Sequence, residues 1–186
     1  MSINVPTILT WFRITMIPLV ISLFYLPENW FGIILRDTWI AMVFMFSALT
    51  DWLDGWLARR WKQTSAFGAF LDPVADKLMV CSALLILLNL NRIDTLIALI
   101  IVGREIIISS LRAWMAQIGA NNNVRVHRLG KLKTILQMIA IPCLFFDKKF
   151  DGQLYCLGSG LITLAAILAV WSMLYYLQRA WFVIKN

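Results

Sequence analysis

Apolar residues fall in long blocks along this chain, and polar residues gather mostly between them. Six blocks are long enough to predict helices that cross a bilayer, running approximately Ile8–Leu26, Thr38–Arg59, Pro73–Leu90, Asp94–Met115, Leu132–Phe146 and Leu154–Leu177. About 20 apolar residues span the hydrocarbon core, so the fifth block is short and is expected to begin before Leu132. Pro27, Glu28 and Asn29 close the first block, and Asn91, Arg92 and Asp94 separate the third from the fourth. Asp147, Lys148, Lys149, Asp151 and Gly152 separate the fifth from the sixth. Ahead of the first block, Asn4–Arg13 is amphipathic and predicts a short interfacial segment, which Pro6 would enter through an extended or turn residue. Thr7, Thr10 and Arg13 recur every three residues and share one helical face. The pattern therefore predicts an all-α, polytopic membrane protein. It has six transmembrane helices, a short N-terminal interfacial amphipathic segment, and one domain over residues 1–186. No repeat or low-complexity tract interrupts it.

Composition supports the membrane. Hydrophobic residues make up 61% of the 186 and the mean hydropathy is +0.77, more apolar surface than one soluble domain of this size can bury. Trp30, Trp39, Trp61, Trp114 and Trp181 lie near the ends of apolar runs, where interfacial aromatics collect. The net charge of +7 would raise the question of nucleic acid in a soluble chain. No basic stripe with interleaved aromatics lies on a polar segment, so nucleic acid is excluded in favour of a positive-inside bias and anionic lipid headgroups. One side carries Arg59, Arg60, Lys62, Arg125, Arg128, Lys131, Lys133, Arg179 and Lys185. On the other, Arg36, Arg92, Lys148 and Lys149 are interspersed with acidic residues. The first side is expected to be cytoplasmic, and an even number of spans then puts both termini there. Cys81, Cys143 and Cys156 have no Cys or His neighbour at metal-ligand spacing, and His127 is the only histidine, which argues against zinc and a disulfide framework. The N-terminus lacks the basic region of a signal peptide, so the first block reads as a retained helix.

The candidate chemistry lies in two stretches, Asp51–Arg59 and Gly68–Asp76. Asp51 and Asp54 are three apart at the cytoplasmic end of the second block, and Asp72 and Asp76 are four apart at the start of the third. Pro73 suits the first turn of a helix, which predicts Asp72 as an N-cap and a short loop from roughly Arg60 to Leu71. Antiparallel neighbours would bring all four carboxylates to one depth. Each costs roughly 2.5–3.5 kcal/mol at a bilayer centre, less near the interface, and together they repel. A hard divalent cation relieves both penalties. Oxygen ligands point to Mg²⁺, with Mn²⁺ as a substitute. Gly55 and Gly68 let a nucleotide approach the backbone, Ala58 is small, and Arg59 is a fork donor suited to a diphosphate.

These residues match D-x2-D-G-x2-A-R-x8-G-x3-D-x3-D at every fixed position. The pattern resembles the signature of the CDP-alcohol phosphatidyltransferases, and six spans with the motif bridging the second and third also resemble that family. The resemblance implies that Asp51, Asp54 and Asp72 bind metal, and that Asp76 both contacts metal and acts as general base. It implies that Gly55, Ala58, Arg59 and Gly68 bind the CDP moiety of a CDP-diacylglycerol donor. The Thr7/Thr10/Arg13 face either lines the headgroup entrance, with Thr10 a further CDP contact, or anchors the interface. The resemblance also implies a bacterial cytoplasmic (inner) membrane, an active site on the cytoplasmic side, and a homodimer.

The acceptor is read from basic residues. Arg104 lies deep in the fourth block and needs a carboxylate, a water-filled cavity or an anionic ligand. Arg112 lies two turns nearer the cytoplasm, and Gly130-Lys131-Leu132-Lys133-Thr134 precedes the fifth block. A pocket formed by Arg104, Arg112, Lys131 and Lys133 suits an acceptor that carries its own phosphate. It does not suit choline or ethanolamine. The arginine–glutamate pair at Arg104–Glu105, the later Arg112 and the GKxKT stretch resemble the branch of the family that accepts sn-glycerol 3-phosphate; inositol phosphate is the alternative. The lysines also fit a plain positive-inside reading. Outside the class, charges in a helical bundle fit a cation-coupled transporter. Against that stand the aspartates at one interface, the lack of an inverted repeat, and a Gly/Ala/Arg set that an ion site does not need.

Overall fold

Long apolar runs without strand punctuation satisfy their backbone only as helices, and helices form. The computed structural model describes residues 5–61, 66–118, 128–146 and 152–185. Among these residues there are six helices and no strand: α1 (Val5–Tyr25), α2 (Glu28–Trp61), α3 (Ala66–Asn89), α4 (Thr95–Gln117), α5 (Arg128–Phe145) and α6 (Gln153–Lys185). The fifth helix does begin before Leu132. One apolar core joins all six, drawing Val20 from α1, Phe44 from α2, Leu84 and Leu87 from α3, Ile101 from α4, Ile141 and Leu144 from α5, and Ile162 from α6. A smaller cluster of Ile108, Met115, Tyr176 and Ala180 ties α4 to α6.

The breaks follow local chemistry. Gly32 bends α2 near its start at φ 65°, ψ 155°, a region open essentially to glycine alone. The α3–α4 turn closes in a Schellman arrangement. Asn91 adopts φ 54°, the Asn91 amide donates to Leu88 O and the Arg92 amide to Leu87 O. Asp94 then caps α4, its side chain accepting from the Leu96 amide at 2.7 Å. Arg92 is buried and donates to Asp37 at 2.5 Å and to the last carbonyls of α5, Leu144 O and Phe145 O, at 3.1 and 3.0 Å. That cluster fastens α2, the α3–α4 turn and α5 at one end of the bundle. Gly158 lets α6 approach α5 closely: a Cβ there would stand 3.0 Å from Leu144 Cγ.

Three sequence expectations change. Helix α3 starts at Ala66, so Asp72 is not an N-cap and Pro73 lies in the third turn rather than the first. The connection shrinks from roughly Arg60–Leu71 to residues 62–65, which lie outside the described residues. The N-terminal amphipathic stretch is no separate interfacial segment within the described residues: from Val5 it is the start of α1, with Pro6 in the first turn, where its missing N–H costs no intrahelical bond. Gly32–Asp51 and Gln153–Gln178 are long and apolar enough to cross a membrane, while Thr10–Tyr25 and Leu132–Phe145 are apolar but shorter. Asp72, Asp76 and Lys77 interrupt α3, and Arg104, Glu105 and Arg112 interrupt α4. Trp39, Leu85, Leu99, Ile167 and Trp171 are each more than half exposed, an apolar exterior that suits lipid and not water.

Candidate active site

Aspartates on two helices meet an arginine from a third. Asp72 and Asp76 are one turn apart on α3, so they share a face even though neither caps the helix. Asp51 sits on α2, ten residues before that helix ends at Trp61. One oxygen from each of the three carboxylates lies within 4.8 Å of the others. Between them stands Arg13 of α1, which donates from Nη1 to Asp72 Oδ1 at 2.8 Å and to Asp76 Oδ1 at 2.6 Å. The same nitrogen is 3.0 Å from Asp51 Oδ1. Arg13 is 1% exposed, whereas the three aspartates are half-buried. A small crevice adjoins the cluster, lined by Arg13, Asp51 and Asp76 with Phe44, Ser47 and Met79 among its walls. All the donors facing one another are hard carboxylate oxygens. That set fits a hard divalent cation.

Asp54, Gly55, Ala58 and Arg59 lie on the last turns of α2 and Lys131 in the first turn of α5, but their side chains are outside the described residues. Gly68 lies within the first turn of α3, four residues before Asp72. Thr10 is buried one turn before Arg13 on the same face of α1.

The basic residues form a second cluster between α4, α5 and α6. Arg104, 5% exposed, donates to Glu105 Oε1 and to Ser172 Oγ, both at 3.2 Å. Lys133, 3% exposed, donates to the same Glu105 oxygen. Arg112 is exposed on α4, its guanidinium 5.6 Å from the Tyr176 ring centroid. Lys77, next to Asp76, lies within electrostatic reach of Glu105 and so links the two clusters. Buried donors remain open here: Arg104 Nε and Gln137 Nε2, one turn along α5 from Lys133, find no acceptor among the described residues.

Sequence reasoning placed Arg13 on the Thr7/Thr10/Arg13 face but not among the aspartates, and it missed Ser172 and Gln137. Arg13 did carry a signal, since an arginine inside an apolar run needs an anion just as Arg104 does. Ser172 and Gln137 carried none, because a hydroxyl or amide in a membrane helix is unremarkable until its neighbours are known.

Bundle, signature and carboxylate cluster together define the class. The chain belongs to the CDP-alcohol phosphatidyltransferase family, whose model matches residues 3–172. It is similar to proteins named CDP-diacylglycerol–glycerol-3-phosphate 3-phosphatidyltransferase. That of Yersinia enterocolitica is 46% identical over 183 residues, covering 97% of both chains. Those of Pectobacterium atrosepticum and Sodalis glossinidius are each 46% identical, covering 97% of this chain and 96% of theirs.

Proposed function

We propose that the whole chain is one membrane-embedded enzyme domain that transfers the phosphatidyl group of CDP-diacylglycerol to sn-glycerol 3-phosphate, giving phosphatidylglycerophosphate and CMP. The observation that carries this reading is the convergence of Asp51, Asp72 and Asp76 on one point inside the family signature. The names of relatives matched over nearly their full length support the donor and the acceptor. In this reading Asp51, Asp54, Asp72 and Asp76 hold Mg²⁺ or Mn²⁺. Gly55, Ala58, Arg59 and Gly68, together with Thr10, receive the CDP moiety. When bound, the cation neutralises charge building on the diphosphate oxygens.

The chain's own residues do the rest. Asp76 takes the proton from the C1 hydroxyl of glycerol 3-phosphate. That oxygen bonds to the lipid-side phosphorus as the bond from phosphorus to the CMP oxygen breaks, and CMP leaves with the electron pair. Arg104, Arg112, Lys131 and Lys133 hold the acceptor's phosphate. The open donors Arg104 Nε and Gln137 Nε2 support a buried anion or hydroxyl in that cluster. Glu105 binds both Arg104 and Lys133, so it keeps two buried cations from repelling each other while leaving the cluster net positive. All six helices cross the bacterial inner membrane in this reading, the charged faces of α3 and α4 turned inward, with both termini and the active site cytoplasmic. A homodimer belongs to the proposal on the family resemblance.

The test is purified protein with CDP-diacylglycerol, Mg²⁺ and labelled acceptors: glycerol 3-phosphate, inositol phosphate and serine. Lipid-extractable label from glycerol 3-phosphate alone is expected. Label from another acceptor would overturn the reading of the basic cluster but keep the aspartate chemistry. No label from any acceptor in folded protein would favour the transporter alternative.

A further inference from the structure

Arg13 occupies the point on which the aspartates converge. Its Nη1 lies 3.0, 2.8 and 2.6 Å from Oδ1 of Asp51, Asp72 and Asp76. A nitrogen that close to all three oxygens stands where a cation shared by them would stand. Magnesium binds oxygen at about 2.1 Å and carries the same sign of charge, so cation and guanidinium exclude each other by space and by repulsion. One guanidinium leaves three carboxylates net negative, so Arg13 gathers them without saturating them.

We propose that Arg13 is a positioning residue with two successive partners: it holds Asp51, Asp72 and Asp76 together before the cation binds, then yields them and turns its guanidinium to the diphosphate of the nucleotide–lipid donor. The inference rests on reading those carboxylates as cation ligands. Arginine suits both positions, because its planar fork matches carboxylate and phosphate oxygens alike. Burial drives the exchange, since a buried guanidinium that loses its carboxylates needs another anion. The diphosphate supplies one, with buried Thr10 one turn away on the same face of α1. Cation and nucleotide binding are therefore coupled through Arg13, each making the other easier.

The experiment is a titration of free Mn²⁺ by electron paramagnetic resonance in detergent, with and without CDP, on wild type, Arg13→Met and Arg13→Lys. CDP is expected to tighten Mn²⁺ binding to wild type about tenfold. Without CDP, Arg13→Met is expected to bind Mn²⁺ about tenfold more tightly than wild type, and CDP then adds less than about threefold. Arg13→Lys keeps the charge but loses the fork. It should bind Mn²⁺ alone within about threefold of wild type yet show weakened coupling to CDP. If Arg13→Met does not fold, the Arg13→Lys coupling decides. Mn²⁺ affinity that is unchanged or weaker in Arg13→Met, or wild-type coupling in Arg13→Lys, overturns the exchange. Absence of Mn²⁺ binding to wild type even with CDP would instead overturn the metal reading on which it rests.

Discussion

Asp76 is asked to do two things at one atom's breadth: hold a cation and receive a proton. Asp76→Asn keeps the shape and removes the charge, so transfer is expected to fall more than about 100-fold, the upper end of losses seen when even the supporting shell of a metal site is damaged. Incorporation at a near wild-type rate would sink the base assignment. Asp51→Asn and Asp72→Asn should lose transfer similarly, with weaker Mn²⁺ binding measured directly. Ser172 makes a gentler test. Its hydroxyl accepts from Arg104 at 3.2 Å, so Ser172→Ala frees one guanidinium nitrogen without moving a charge. The expected outcome is a rise in KM for glycerol 3-phosphate of about threefold to tenfold with kcat nearly unchanged, the worth of one hydrogen bond. The aspartates could be read in the sequence because carboxylates at helical spacing need no tertiary information to share a face. The distances to Arg13 could not, because they join positions 59 and 63 residues apart. Lys133 shows the limit from the other side. As a sequence it fits a plain positive-inside residue, but it is buried against Glu105.

At the scale of helices, Asp72 shares a face with Asp76 without being the N-cap that Pro73 predicted. Pro73 favours a helix start, but a helix bundled with neighbours tolerates the lost hydrogen bond, as α1 does at Pro18 and α5 at Pro142. What survives is the four-residue spacing, which puts Asp72 and Asp76 on one face of a continuous helix just as it would after a cap. The apolar blocks gave the existence and order of the helices; their ends were less legible because proline and polar residues taken as boundaries lie inside the helices, as Asp72 and Pro73 do in α3 and Gln178 and Arg179 in α6. Close packing between helices was not legible at all. Gly158 illustrates it, since only the position of Leu144 makes its hydrogen matter. Gly158→Val should push α6 off α5 and lower stability by about 1–3 kcal/mol, seen as earlier thermal unfolding in detergent.

Across the whole molecule, charges divide between two ends. Asp37 and Asp51 are both on α2, which at 1.5 Å per residue separates them by roughly 21 Å. One end gathers the aspartates and Arg13; the other holds Arg92, Asp37 and the α5 carbonyls. The first is built of oxygens that face one another across a point. The second is a latch whose buried donors and acceptors are paired among the described residues. Arg92→Ala leaves Asp37 buried with less compensation and uncaps α5, and is expected to cost about 3 kcal/mol of stability. Transfer by the fraction that stays folded should be near wild type, which separates the latch from the chemistry. The proposed orientation rests on the Lys and Arg bias of the sequence alone. The six apolar blocks each became a helix, but only two pass as spans by length and hydropathy among the described residues, because the charges on α3 and α4 dilute theirs.

In the proposed reaction the lipid's phosphatidyl group passes to glycerol 3-phosphate as CMP departs, and a divalent metal is required. The most direct measurement is the molar ratio of CMP released to phosphatidylglycerophosphate formed by purified protein, by mass spectrometry, before and after chelation. One CMP per lipid product, both lost on chelation and both restored by Mg²⁺ or Mn²⁺, is the predicted result. CMP released without lipid product, or product that persists in the chelator, would contradict it.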